Sequence, residues 1–221
     1  MFIPLRDENP TSRFPIITIF LISLNVLVFF WQLASPHGLQ YTVLQMGAIP
    51  YEITHWHTLP GVPIPRISPI LALIVSMFLH GGLFHLAGNM LYLWIFGNNV
   101  EDFLGPIRFI LFYLVCGLSA SLTHVAFNPN STVPMIGASG AIAGVLGAYF
   151  MLYPAARVIT LVVIWIVPLP AGIILGLWFL MQILNVGLGG GVAWFAHIGG
   201  FLVGIGLVLA FTKRKRAPAF R

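Results

Sequence analysis

Residues 137–147 of the chain read GASGAIAGVLG, a serine set among small residues at the head of an apolar run. Such a pattern at the start of a membrane helix has two interpretations. Small residues and serines are enriched where membrane helices touch, so Ser139 taken alone is best interpreted as a packing residue. The second interpretation is a nucleophile, and it depends on which other polar residues lie at the same depth in the membrane.

The composition of the chain is that of a membrane protein with several spans. Of its 221 residues, 59% are hydrophobic and only 7% are charged, and the mean hydropathy is +0.98, which is far from the make-up of a soluble domain. The single cysteine, Cys116, excludes an internal disulfide and a cysteine metal site. A formal net charge of +5 suggests nucleic acid, but the basic residues cluster at segment ends and in the tail, as topology signals do. We therefore expect no nucleic-acid partner.

Six apolar segments are predicted to cross the bilayer, which makes the chain an all-α polytopic protein. The first, residues 14–34, has 21 residues, and at about 1.5 Å per residue it matches a hydrocarbon core of roughly 30 Å. The apolar segment at 69–80 is too short to span and is interrupted by Gly81-Gly82, so we interpret it as an interfacial or re-entrant piece. The remaining spans are predicted at residues 83–97, 106–127, 136–153, 158–184 and 192–211.

The distribution of lysine and arginine orients these spans. With both chain ends inside, nine of the ten basic residues fall on the cytoplasmic side and only Arg66 falls outside. Residues 1–13 are then predicted to be a flexible cytoplasmic arm, residues 14–211 a membrane domain, and residues 212–221 a basic cytoplasmic tail. The proline-rich connection at 35–68 becomes a long first extracytoplasmic loop, and residues 187–191 a flexible turn. The short tails favour a prokaryotic inner membrane over an organelle.

Four polar residues share the outer half of this predicted bundle. Ser139 and His197 each lie a few residues inside a helix that starts from the outer side, and His85 and Asn89, four positions apart, share one face of the second span. Histidines at membrane depth are costly and are more often functional than structural. We therefore predict a Ser-His dyad, with Ser139 as the nucleophile and His197 as the general base.

An acyl intermediate needs hydrogen-bond donors for its oxyanion. The amide of Asn89 and the ring of His85 are predicted to supply them, together with the backbone N–H groups at the exposed start of the helix that carries Ser139. For Asn89 alone, a hydrogen bond to a neighbouring helix is an equally good interpretation.

Small residues predict that the helices of the serine and the histidine pack closely. Ala143 and Gly147 share the face of the serine, and Gly200 and Gly204 follow the histidine at i+3 and i+7. Such small-residue faces let membrane helices approach each other, and a Ser-His hydrogen bond requires that approach.

Other titratable residues stand outside this constellation. Of the five carboxylates only Glu52 falls on the outer side, and it is a minor candidate for orienting the histidine base. His124 has no matching partner and is interpreted as structural. His55 and His57 are close in sequence, but a zinc site needs a further ligand that the sequence does not supply.

Over residues 14–211 the chain resembles the rhomboid family of intramembrane serine proteases. Residues 80–90, reading HGGLFHLAGNM, are similar to the family's second-span motif, whose oxyanion histidine and asparagine correspond to His85 and Asn89. Residues 137–140, reading GASG, are similar to the nucleophile motif, which adds Gly137 to the site. Residues 196–200, reading AHIGG, are similar to the motif of the base.

The resemblance implies a six-transmembrane-helix rhomboid-like bundle with a water-accessible cavity that opens to the outer face. It implies substrates that are single-span proteins of the lipid bilayer, cut at helix-destabilised sites next to small residues, and it implies neither a metal nor a cofactor. Two positions depart from the family pattern. Leu71-Ala72 stand where many members have Trp-Arg in the first loop, and Ala143 stands where many have an aromatic residue that stacks on the histidine.

Two functions from other classes compete with proteolysis. A non-catalytic quality-control protein of rhomboid-like fold would grip transmembrane helices in the same cavity and capture them stoichiometrically. A small transporter is disfavoured, because a transport path carries charged or broken-helix features towards both sides of the membrane, whereas the polar residues here stop in the outer half.

Overall fold

The computed structural model describes residues 2–59, 65–188 and 191–216. Residues 217–221 of the predicted tail and residues 189 and 190 of the predicted glycine turn lie outside the described residues. The described part of the chain forms, in order, β1 (Phe2–Asp7), α1 (Ile16–Ala34), α2 (Gly38–Met46), α3 (Pro50–His55), α4 (Pro69–Val75), a 3-10 turn (Ser76–Phe78), α5 (Leu83–Leu104), α6 (Pro106–Phe127), α7 (Ser139–Leu152), β2 (Arg157–Val162), β3 (Trp165–Pro170), α8 (Ala171–Leu184) and α9 (Trp194–Arg216).

Three of the described helices are long and apolar enough to cross a membrane, namely α1, α6 and residues 194–212 of α9. The segment 69–78 and α5 pass the same test as a pair, with a bend of 78° between them, so the predicted interruption near Gly81-Gly82 is confirmed. α7 and α8 are apolar but have only 14 residues each. The chain is thus an integral membrane protein that crosses the bilayer more than once.

The second span was predicted to end at residue 97, but α5 continues to Leu104 because its last turns cap another helix. The Glu101 carboxylate accepts hydrogen bonds from the backbone N–H groups of Ile17 at 2.9 Å and Thr18 at 2.8 Å, and from the Thr18 hydroxyl at 2.7 Å. The first N–H groups of a helix have no partner within it, and an anion is favoured there. Polar residues that a hydropathy count excludes from the span therefore remain helical.

A three-stranded antiparallel sheet in the order β1-β2-β3 corrects the all-α prediction. Residues 157–170 form a hairpin, so the predicted span at 158–184 is wrong in its first half and α8 begins only at Ala171. Hydropathy alone does not separate a strand from a helix. The β-branched residues 158–160 favour a strand, and Pro168 and Pro170 lack the N–H that a helix interior uses.

The N-terminal arm was predicted to be flexible, and the structure corrects this as well. Its residues 2–7 form β1, which pairs with β2. Asp7 accepts hydrogen bonds of 2.8 Å from the hydroxyl of Tyr149 in α7 and of 2.8 Å from the amide of Asn99 in α5. The arm is ordered because its polar residues find buried partners, and it closes the end of the bundle opposite to Ser139.

The connection at 35–68 is partly helical, since α2 and α3 lie in it. Glu52 and Arg66 form an ion pair of 2.7 Å whose side chains are each 2% exposed. Ala48 exchanges two backbone hydrogen bonds with Met135, of 3.1 and 2.7 Å. The connection is therefore attached to the segment that leads into Ser139.

α7 forms the centre of the fold, and every residue from 141 to 149 is buried. Its glycines meet those of α9: a Cβ added at Gly204 would collide with the carbonyl of Gly144, and one added at Gly200 would collide with the carbonyl of Gly140. The predicted close approach of these two helices through small residues is confirmed.

Candidate active site

Ser139 is the first residue of α7, and Gly137 sets the turn that leads into it. The φ of Gly137 is +111°, a conformation that residues with a side chain rarely adopt. A Cβ at this position would also lie 2.8 Å from Nε2 of His85. The Gly137 N–H donates to the Ser76 carbonyl at 2.8 Å. Conformation and space both require glycine here, and the turn leaves Ser139 at the open N-terminal end of its helix.

His197 lies in the first turn of α9, and its ring reaches Ser139. Its Nε2 is 2.9 Å from the Ser139 Oγ, and its Nδ1 is 2.8 Å from the Oε1 of Gln182. The Gln182 amide nitrogen donates to the Trp178 carbonyl at 2.9 Å, so the amide oxygen faces the imidazole. Because that oxygen only accepts, Nδ1 carries the ring proton and Nε2 accepts from the Ser139 hydroxyl. In this tautomer the histidine is able to remove the proton of the serine.

The sequence did not predict a role for Gln182, which contacts His197 at the place where Glu52 was considered as the orienting residue. Gln182 is 6% exposed and is the only polar side chain in the sequence of α8, which is the signal that identifies it. Glu52 instead binds Arg66 and accepts a hydrogen bond of 3.0 Å from the N–H of Leu59. The role considered for Glu52 is therefore wrong, because that carboxylate is already paired.

Two tryptophans lie beside His197, where the family pattern would have placed an aromatic residue at position 143. The ring centroid of Trp178 is 5.9 Å from that of His197 and the planes meet at 35°. The centroid of Trp194 lies at 6.2 Å, with the planes at 89°. Ala143 is itself fully buried. Aromatic contact with the histidine thus comes from α8 and α9 instead of α7.

His85 and Asn89 lie beside the turn at Gly137. The Nδ1 of His85 accepts a long hydrogen bond of 3.4 Å from the Gly81 N–H, and its Nε2 faces Gly137. One N–H of the Asn89 amide donates to the His85 carbonyl at 3.1 Å, and an amide carries a second. The structure thus brings both side chains to the turn that precedes Ser139, each with a further N–H to donate.

A cavity of about 710 Å³ opens beside Ser139. His85, Ser139 and His197 line it, and so does His124, for which the sequence predicts only a structural role. His124 comes from α6, and its ring centroid lies 6.5 Å from that of Phe195. Asn89 is 7% exposed and lies behind this wall, next to Gly137.

A second, smaller recess of about 30 Å³ also reaches Ser139. Small residues make up much of its wall, among them Gly117, Gly140, Ala141 and Ala196. A space of this size accommodates a group of only a few atoms.

His55, one of the two histidines considered for zinc, has other contacts. The Nδ1 of His55 lies 2.8 Å from the Thr54 hydroxyl and 3.0 Å from the Tyr51 carbonyl, and its ring stacks on that of Tyr51. Within the part of the chain that the structure describes, no three His, Cys, Asp or Glu side chains come together as a metal site requires.

Comparison with known proteins gave a consistent set of similarities. A family model described as the Rhomboid domain matches residues 68–214. Rhomboid protein 1, mitochondrial, of Saccharomyces cerevisiae is 30% identical over 148 residues, which is 63% of this chain and 41% of the yeast protein. RHOMBOID-like protein 6, mitochondrial, of Arabidopsis thaliana is 36% identical over 152 residues, 67% of this chain and 47% of the plant protein. Rhomboid protease GluP of Bacillus subtilis is 46% identical over 83 residues, 38% of this chain and 15% of GluP. The chain spans less than half the length of each of these relatives.

Proposed function

The chain belongs to the rhomboid family, and on that premise we propose that it is an intramembrane serine endopeptidase that cleaves transmembrane segments of membrane proteins. The observation that carries the proposal is the 2.9 Å contact between the Ser139 Oγ and the His197 Nε2, at the wall of a cavity large enough for a peptide segment. The similarity to a named protease, Rhomboid protease GluP, adds support.

The reaction proceeds through an acyl-enzyme. Ser139 Oγ attacks the scissile carbonyl carbon while His197 Nε2 takes the hydroxyl proton. The tetrahedral intermediate collapses, the C–N bond breaks, and His197 returns the proton to the leaving amine. A water that enters from the cavity then gives its proton to His197 and attacks the ester, which releases the carboxylic acid product and restores the Ser139 hydroxyl.

Donors beside Gly137 stabilise the oxyanion of both tetrahedral intermediates. The second N–H of Asn89, the Nε2–H of His85 and the backbone N–H groups at the start of α7 converge on this turn. The space in front of Gly137 is free because a glycine stands there, which is why that residue belongs to the site.

The membrane arrangement we propose has six spans in residues 14–211, formed by α1, the bent α4-α5 segment, α6, α7, α8 and α9. Residues 1–13 and 212–221 lie in the cytoplasm, residues 35–68 lie outside, and the cavity opens to the outer face. Arg13, Arg108 and Arg157 support this orientation, because each stands at the end of the bundle opposite to Ser139. The short α7 fits the arrangement because other helices surround it instead of lipid. The favoured location is the inner membrane of a prokaryote.

The substrates proposed are single-span proteins of the same bilayer. The small recess next to Ser139 supports cleavage after a residue with a small side chain. A transmembrane helix has to unwind before its backbone reaches a serine, since helical carbonyls are otherwise hydrogen-bonded within the helix.

The test is to reconstitute the protein in liposomes with a single-span substrate and to follow both cleavage and capture. A protease turns over several substrate molecules per enzyme. A non-catalytic helix-binding protein would capture the substrate stoichiometrically without cleaving it, and that capture would be the same when Ser139 is replaced by alanine.

Gln182 is a positioning residue in this mechanism, and replacing it by methionine is expected to lower kcat. Methionine has a similar volume but offers no oxygen to hold the Nδ1 proton, so the tautomer and orientation of His197 are lost. We expect a decrease of at least about 10- to 100-fold, the size seen when the outer hydrogen-bond partner of a metal-ligating histidine is removed, with KM unchanged. Steady-state kinetics on one substrate gives both constants.

Two further variants separate positioning from packing. Gln182→Glu keeps an acceptor oxygen and is expected to restore most of the rate, which a purely structural role would not predict. Asn185→Met removes an exposed amide at the end of the same helix and is expected to leave kcat unchanged. If Gln182→Met raises KM and leaves kcat as in the native protein, the positioning role is wrong.

A further inference from the structure

The tip of the β2-β3 hairpin presents a continuous apolar surface that no part of the proposed mechanism uses. Val163 is 72% exposed, Ile164 75%, Trp165 70% and Ile166 63%. These four consecutive large residues are among the most exposed of the chain. A contiguous exposed apolar patch normally marks a surface that another phase or molecule covers.

The turn itself shows that apolar residues are kept at the tip against the preference of the backbone. Val162 pairs with Trp165, so the loop has only two residues. Such loops are ordinarily built from Gly, Asn or Asp because they require positive φ. Here Val163 has a φ of +57°, which is an outlier for a β-branched residue. Glycine or asparagine at position 163 would relieve this strain, and asparagine would also be better solvated by water. The apolar residues at the tip are therefore better suited to an apolar environment than to water.

The free edge of the sheet is adapted to the same environment. β3 is an edge strand. Val162 and Trp165 flank the two-residue loop and form a hydrogen-bonded pair, and such pairs alternate with non-hydrogen-bonded ones along the strand. Positions 166, 168 and 170 therefore direct their backbone groups away from β2. Pro168 and Pro170 remove two of those three N–H donors. Fewer donors are then left unpaired where water is scarce, and pairing with a strand from a second copy is blocked.

The hairpin is continuous with a helix that is too short for the bilayer. α8 follows β3 directly, and its 14 residues extend about 21 Å against a hydrocarbon core of roughly 30 Å. Unlike α7, α8 has a broadly exposed apolar face, with Ile173, Leu177, Leu180 and Leu184 each more than 40% exposed. The β2-β3 hairpin adjoins the first residue of α8, and its apolar residues add membrane-facing surface to a helix that is too short to provide it alone.

Charge at the other end of the sheet agrees with this placement. Arg6 and Arg157 are exposed. Arg157 lies on the row of the sheet farthest from the turn, and Arg6 lies on the row of Ile159. Three steps of strand separate the row of Ile159 from Val162 and five separate Arg157 from it, about 10 Å and about 16 Å at 3.3 Å per residue. Cations at these distances from an inserted apolar tip lie at the level of lipid headgroups.

We propose that the hairpin tip, residues 162–166, inserts into the interfacial layer of the bilayer on the face opposite to the cavity. The bilayer covers the apolar residues, the tryptophan lies at the boundary where such side chains are enriched, and the arginines remain among the headgroups. The hairpin thus completes the membrane-facing surface below α8, the helix that carries Gln182 and Trp178.

The test places a fluorophore at the tip and measures its contact with lipid. Ile164→Cys is labelled with a nitrobenzoxadiazole maleimide and reconstituted in phosphatidylcholine liposomes with or without a lipid that carries a nitroxide high on its acyl chain. Cys116 is fully buried and does not compete for the label. Glu8→Cys is the matched control. Glu8 is exposed, and its N–H donates a hydrogen bond to the carbonyl of Arg157 at the far end of the same sheet.

We expect the label at 164 to emit at shorter wavelength than the label at 8 and to be quenched several-fold more strongly by the nitroxide lipid. Ile166→Cys gives a second position with the same expectation. Aqueous emission at 164 and 166 with no more quenching than at 8 would overturn the proposal. Disulfide cross-linking of Ile164→Cys between two protein copies, with no lipid quenching, would also overturn it and would identify a second copy as the occupant. Neither readout requires catalysis, so the result is independent of the proposed protease activity.

Discussion

Replacing Ser139 by alanine is expected to abolish cleavage of a single-span substrate, with kcat reduced by at least about 10⁴-fold, the scale on which serine hydrolases lose activity without their nucleophile. The alanine leaves no oxygen to form the acyl-enzyme, and no other hydroxyl is placed in this mechanism. The stability of the protein is expected to change by no more than about 1 kcal/mol, because Ser139 is only half-buried and loses a single hydrogen bond. Turnover in liposomes and thermal unfolding in detergent give the two quantities.

A matched pair of histidine variants extends this prediction. His197→Ala removes the general base and is expected to reduce turnover to a similar extent. His55→Ala removes a histidine whose ring stacks on Tyr51, and it is expected to keep full turnover. Retained cleavage in Ser139→Ala or in His197→Ala would contradict the dyad. Capture without cleavage by the native protein, unchanged in both variants, would favour the helix-binding alternative.

Gly204→Ala is expected to destabilise the bundle strongly for the addition of a single methyl group. The new Cβ would collide with the backbone carbonyl of Gly144, and a backbone atom in a packed helix cannot turn away as a side chain can. Overpacking commonly costs about 1 to 3 kcal/mol, and we expect the upper end of that range because the atoms of Gly144 that the Cβ meets are main chain and the Cβ itself has no alternative rotamer. The α7-α9 contact would widen, which separates Ser139 from His197 and lowers kcat as well.

Gly206 provides the control, since it lies two residues away on α9 and a Cβ there meets nothing within 4 Å. Gly206→Ala is expected to leave activity unchanged and to stabilise the helix by up to about 1 kcal/mol through propensity alone. Thermal unfolding of both variants in the same detergent compares their stabilities. Equal melting temperatures for Gly204→Ala and Gly206→Ala would contradict the close α7-α9 contact.

The long helices and the family were predictable from the sequence because the signals are strong ones. The predicted span at 106–127 coincides with α6, and the predicted span at 14–34 differs from α1 by two residues at its start. A run of about 20 apolar residues has few structures available other than a spanning helix. The resemblance to rhomboids rested on three motifs that contain all five predicted site residues, and the match at 68–214 confirms the family.

The β-hairpin was not predictable by the same reasoning. Residues 158–170 are as apolar as a span, and hydropathy measures partition into lipid without distinguishing the hydrogen-bonding pattern of the backbone. The informative signals were Pro168 and Pro170 together with the β-branched residues before them, which a search for spans overlooks. The order of the N-terminal arm was hidden for a different reason, because Asp7 acquires its partners Tyr149 and Asn99 only in the folded chain.

The polar residues around the cavity also include some that were predicted from the sequence and some that were not. Ser139, His197, His85 and Asn89 were found because each carries a chemical group that is unusual in a membrane helix. Gln182 is equally unusual in α8, but an amide is not titratable and a search for an acidic third member passes over it. His124 reaches the cavity wall through the packing of α6 against α9, which spacing along the chain does not show.

The most direct test of the central claim, that His197 activates Ser139, is labelling of the purified protein by a fluorophosphonate probe. The probe reacts with a serine only when a base removes its proton and donors stabilise the resulting oxyanion. We predict that the native protein is labelled, and that Ser139→Ala and His197→Ala are not, although both variants remain folded. A folded native protein that stays unlabelled, or His197→Ala labelled as fast as the native protein, would contradict the account.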